Sequence, residues 1–82
     1  MEEYIGIVKL FGGNFAPKGW AFCNGALLSI TQNSALFALL GNQFGGDGIS
    51  TFSLPNLPPL LSENEAPIQY IICLFGIFPI RD

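Results

Sequence analysis

Histidine is absent from this 82-residue chain, and its only cations are Lys9, Lys18 and Arg81. Without an imidazole there is no His-based triad or dyad and no histidine metal ligand. Cys23 and Cys73 stand far apart in sequence, with no neighbouring ligands to complete a zinc shell. Glu2, Glu3, Glu63 and Glu65 fall in what read as solvent-facing ends and a linker, and nothing in the chain order brings Glu63 to Asp47 as a hydrolytic pair. The sequence thus offers no catalytic residue, no metal site and no cofactor site, and it reads as a non-enzyme. Its formal charge of −3, with no basic cluster, repels a phosphate backbone and argues against nucleic acid as a partner. The longest apolar run, Tyr70 to Ile80, falls short of the roughly 18 residues a membrane span needs, so no such span is expected. Met1-Glu2-Glu3 lacks a basic leader region. Export by the general secretory route is thus not expected, which leaves a cytoplasmic protein, a virion component released by lysis, or a protein that reaches the exterior by a signal-less route.

What the chain has in excess is apolar surface. Half its residues are hydrophobic and only 11% are charged, against about 25% charged in ordinary soluble domains. A single domain this short hides only about 60–65% of its unfolded surface when it folds alone. More apolar side chain is present than one small globule can enclose, so copies of the chain are expected to associate. Each cysteine lies in an apolar stretch, AFCNG or YIICLFG, which is compatible with two buried thiols or with a bridge between neighbouring strands.

In chain order, Tyr4 to Phe11 reads as a strand with both faces largely apolar, either interior or stacked on another subunit, and Gly6 leaves room for a close approach by Trp20 or a partner backbone. Trp20 to Cys23 is a second apolar run, and Ala26 to Ile30 a short extended piece. Thr31 or Ser29 is the expected N-cap of a helix from Gln32 to Leu40, whose face is Leu36, Leu39 and Leu40 widened by Phe37. Gly41 stops it. The glycine-rich stretch from Asn42 to Ser50 has neither the lysine of a phosphate loop nor enough carboxylates for calcium, and reads as a structural turn or a surface loop touching a partner. Thr51 to Leu54 is a further strand. Residues 58–67, with Pro58-Pro59 and Ser62-Glu-Asn-Glu65, read as an extended, proline-rich and acidic linker. Ile68 to Phe78 is the last strand, with two apolar faces that suit the middle of a stack.

The chain is arranged around Gly12-Gly-Asn-Phe-Ala-Pro-Lys-Gly-Trp-Ala-Phe-Cys-Asn-Gly25, a polar corner that carries the single tryptophan. The ordered string GGNFAPKGWAFCNG, ITQNSALFALLG, GGDGISTFSLPNL resembles the phage tail collar domain, which also occurs in bacterial proteins labelled microcystin-dependent protein. The resemblance runs from about Ile5 to Leu57, and Tyr70 to Asp82 is similar to the terminal strand of longer members. Those members continue after the position of Leu57 with an arginine-containing segment, so this chain resembles a compact or internally shortened one. The histidine-bound metal of distal short tail fibres has no counterpart here.

The resemblance implies a small mixed α/β module in tail-fibre and adhesin-like proteins, homo-oligomeric and without enzymatic chemistry. The fold expected is α+β, a small, mostly antiparallel sheet of about four strands with one short helix. It forms a single collar-like domain over 1–82, with a core at 1–57, the linker at 58–67 and the terminal strand at 68–82. The expected function is a non-enzymatic structural subunit that self-assembles into a homo-oligomer or fibre, with itself as principal partner. The alternative is a carbohydrate- or protein-binding module at a cell surface, meeting a surface glycan or other fibre proteins. Tyr70, Ile72, Leu74, Phe75 and Phe78 are the expected assembly residues. Trp20, Phe22, Leu36 and Leu40 are expected to hold the fold, and Phe15, Asn14, Asn24 and Phe44 are candidates for surface recognition.

Overall fold

The computed structural model describes residues 3–80 and shows a small α+β fold. Strands β1 (Val8–Phe11) and β2 (Trp20–Phe22) flank β6 (Pro67–Cys73), both antiparallel to it. The short strand β5 (Leu60–Leu61) adds to the start of β6. A separate antiparallel pair joins β3 (Leu27–Ser29) to β4 (Thr51–Ser53), and the single helix α1 (Ser34–Leu40) lies between them in sequence. Six short strands thus stand where about four were expected among the described residues.

Strand β6 is central because its end has no polar face to offer water: Ile71, Ile72 and Cys73 are all buried. The registers Val8↔Ile72 and Ala21↔Ile72 place one isoleucine between both neighbours. The core gathers Ile72 with Ile5, Cys23, Leu36, Phe52 and Leu54. Both thiols are free and buried, which decides between the two alternatives for the cysteines. Burial pushes the titration of each thiol upward.

Several local expectations need correction. The first strand begins at Val8 rather than Tyr4, because Gly6 takes a φ of 89° in a turn closed by the Ile7 N–H on the Tyr4 carbonyl. The space beside Gly6 faces Leu39, not Trp20. Strand β1 ends the sheet order instead of lying inside it, and Val8 and Leu10 remain exposed. The helix starts two residues after Gln32, and neither Thr31 nor Ser29 caps it. Their hydroxyls bond each other at 3.0 Å, while the Asn33 side chain donates to the Ser29 carbonyl. At its other end Gly41, at φ 60°, donates its N–H to the Phe37 carbonyl at 2.7 Å.

The terminal strand stops at Cys73, five residues short of Phe78. Beyond it the N–H of Leu74 bonds the Gly19 carbonyl at 2.8 Å, and the chain turns at Gly76, where a Cβ would collide with the Glu3 carbonyl. It then docks on the amino-terminal segment: Ile77 N–H donates to Glu3 and Ile5 N–H to Ile77, each at 2.9 Å. Part of the expected linker is a hairpin, with Leu60 opposite Ile68, closed by the Ser62 N–H on the Ala66 carbonyl. Glu65 takes the positive φ that this turn requires.

Candidate functional site

Two concavities follow from how the terminal segment is laid down. The larger, a cavity of about 520 Å³, lies between the turn at 4–7, the last turn of α1 and the segment 77–80. Its walls include Tyr4, Ile7, Leu39, Ile77, Phe78 and Ile80, and among the described residues no carboxylate, amine or guanidinium lines it. The three walls are preformed: backbone bonds tie Ile5 to Ile77, and Leu39 touches the place where Gly6 lacks a side chain. The side chains around it are left in water, with Tyr4 50%, Phe78 46% and Ile80 88% exposed.

The smaller, about 360 Å³, is mixed in character and lies between Glu3, Lys18, Trp20, Phe75 and Gly76. Lys9 reaches over the sheet to pair with the Glu3 carboxylate and stands 5.6 Å from the Trp20 ring centroid. The Lys9 ammonium holds Glu3 below the usual carboxylate range, chiefly through their hydrogen bond. Two of the three cations in the sequence, Lys9 and Lys18, therefore stand around the one tryptophan.

The residues expected to assemble are divided by the structure. Ile72 is fully buried in its own core, and Tyr70 and Leu74 pack half-buried against that core. Phe75, 61% exposed, and Phe78 face solvent, one beside the tryptophan cleft and the other on the apolar groove. Of the expected fold-holding residues, Leu36 is fully buried and Leu40 packs on the core, while Trp20 and Phe22 lie half-buried in β2, outside the central cluster. The deepest ring is instead Phe52. Among the recognition candidates Asn14, Phe15, Asn24 and Phe44 are all exposed. The Asn24 side-chain amide oxygen accepts the Ala26 N–H within the fold.

Sequence reading missed Ile7, Leu39, Ile77 and Ile80 as a joint surface, because they come from three segments that only the docking of 77–80 on 3–5 brings together. It also missed Asp47 as the organiser of the glycine-rich loop. One Asp47 carboxylate oxygen accepts the N–H groups of Ile49, Ser50 and Thr51 at 2.8–2.9 Å. The other accepts the Ser50 hydroxyl at 3.1 Å. These donors, Thr51 first, hold the Asp47 carboxyl far below the ordinary carboxylate range. The signal was present as an aspartate in Gly-Asp-Gly, the residue type that folds its side chain onto following amides.

The described residues thus form a small α+β module of six short strands and one helix, with a preformed apolar groove at one side. The family model of the phage tail collar domain matches residues 6–61, and the chain belongs to that family. The family is a structural one of phage tails, and the matched span takes in every element from β1 to β5. No curated protein matches the chain. Among the described residues no helix is long and apolar enough to cross a membrane.

Proposed function

We propose that this chain is a non-enzymatic structural subunit of tail-fibre or adhesin type, a virion component that self-assembles into a homo-oligomer or fibre. The observation that carries the reading is the exposed apolar surface. Among the described residues, sixteen large apolar side chains stay more than a third exposed on an 8.9 kDa chain, where a soluble monomer keeps such patches small. The collar family supports the tail-structural part of the reading. Assembly residues of the expected set that remain available for it are Phe75 and Phe78, since Ile72 is used up inside the fold. Sedimentation velocity and negative-stain microscopy at micromolar concentration test it. Rings, filaments or a discrete oligomer are expected, and a monodisperse 8.9 kDa particle removes the reading.

A second reading, a small carbohydrate- or protein-binding module at a cell surface, is favoured by one feature, the cleft where Trp20 and Phe75 meet Lys18 and Glu3. A ring beside a few convergent polar groups is the composition of a small-ligand site. Retention on a glycan array that is lost in Trp20→Ala supports this reading, and no retention by folded protein removes it.

A further inference from the structure

We infer that the apolar groove between Tyr4, Ile7, Leu39, Ile77, Phe78 and Ile80 is the seat of a second copy of this chain. The inference rests on the self-assembly reading above and names the surface that performs it. Small-molecule sites combine apolar walls with a few polar groups that fix the ligand's orientation. Among the described residues that line this groove there is no carboxylate, amine or guanidinium, and the Tyr4 hydroxyl is the single side-chain polar group. Its rim is as apolar as its floor, with Ile80 88% exposed, and that is the composition of the centre of a protein interface rather than of a ligand pocket.

The area is of the right order as well. Tyr4, Ile7, Leu39, Ile77, Phe78 and Ile80 keep between 37% and 88% of their surface in water. At roughly 150–250 Å² for an aromatic side chain, and less for the four aliphatic ones, these six alone offer on the order of 500 Å². A standard interface needs about 800 Å² from each partner, so these six supply the larger part of one side. The groove is also prepared in advance, because the bonds between Ile5 and Ile77 and between Ile77 and Glu3 hold its walls before any partner arrives. Little ordering is left for association to oppose.

Ile80, at the exposed end of the segment 77–80, lines the same groove as the buried Ile5 and as Leu40. In a head-to-tail contact Ile80 of one copy enters the groove of the next, and the repeat closes a ring or extends a fibre.

The test is sedimentation velocity across about 1 to 100 µM on the full chain, with Ile80→Glu and Leu39→Glu on two different walls. Ile49→Glu serves as a control, since Ile49 is 86% exposed in the glycine-rich loop and away from the groove. Far-UV circular dichroism checks that each variant is folded. Ile80 is so exposed that its replacement leaves the fold intact even if Leu39→Glu does not. Both groove variants are expected to weaken association by 100-fold or more, with the control unchanged. If wild type associates and the folded Ile80→Glu variant associates equally well, the groove is not the contact, although self-assembly stands. A wild type that remains a monomer throughout the range overturns both. Native mass spectrometry showing a stoichiometric hydrocarbon ligand released from an otherwise monomeric chain also overturns the inference.

Discussion

The ring of Phe37, on the helix, stands 5.3 Å from the ring of Phe52, on β4, with the two planes tilted by 57°. A seven-residue helix has no stability of its own, so this contact and the burial of Leu36 are what fasten it to the strand pair β3–β4. Tilted rings at this separation attract through edge and face as well as through area. Phe52→Ala removes the largest fully buried side chain and is expected to cost about 3–5 kcal/mol. Phe37→Ala, at a half-buried site, is expected to cost less. A double-mutant cycle by urea denaturation should leave a coupling of about 0.5–1.5 kcal/mol. Strict additivity would show that the rings do not fasten the helix.

Asp47 makes stability depend on pH in a definite direction. Its folded carboxyl titrates well below its ordinary value near 3.8, because it accepts the amides of Thr51, Ile49 and Ser50. The unfolded chain therefore takes up a proton first as acid is added. The stabilisation is fully present above about pH 4 and is lost progressively as pH falls from there toward the depressed folded value. Asp47→Asn keeps the shape but accepts these bonds without charge. Its melting temperature should lie below wild type at neutral pH and fall less steeply between about pH 4 and pH 2. The residual slope belongs in part to Glu3, which Lys9 also holds low. Parallel melting curves for the two proteins would refute the assignment.

Gly46 and Gly41 separate two reasons for a glycine. Both have positive φ, 90° and 60° respectively. A Cβ at Gly46 would overlap the Cα of Phe52 and lie 2.7 Å from the Thr51 carbonyl oxygen, whereas a Cβ at Gly41 meets nothing within 4 Å. At φ 60° and ψ −153° Gly41 lies in a region held almost only by glycine, so Gly41→Ala should cost the backbone strain alone, about 1–3 kcal/mol. Gly46→Ala should cost at least roughly twice that, because the rigid main chain of β4 cannot move aside. Equal losses in urea denaturation would mean that the loop relaxes away from β4.

Much of the fold could be read from residue order because its signals are local. The strands at Trp20, Leu27 and Thr51 and the glycine that ends the helix are set by runs and breakers within a few residues of each other. The errors fall where a particular contact, near or far in sequence, overrides such a signal. Gln32 and Asn33 stay out of the helix while the Ser29 and Thr31 hydroxyls bond each other and the Asn33 amide binds Ser29. Val8 and Leu10 look like interior residues and lie exposed, since no strand follows β1 in the sheet order. Leu60 and Leu61, read as linker, form a ladder only because Pro67 and Ile68 return opposite them.

Residue order alone determined that this chain carries more apolar side chain than so small a body can hide, that its centre is strand-rich, and that it resembles the collar family to which it belongs. Those are properties of composition and of short-range pattern. Which apolar residues face inward, and which are left together at the surface, was decided by tertiary structure. Ile72 and Phe78 are alike on the page of the sequence, yet one lies between β1 and β2 and the other on an open groove. The difference arises at Gly76, where the lack of a side chain lets the chain leave the ladder and dock against Glu3.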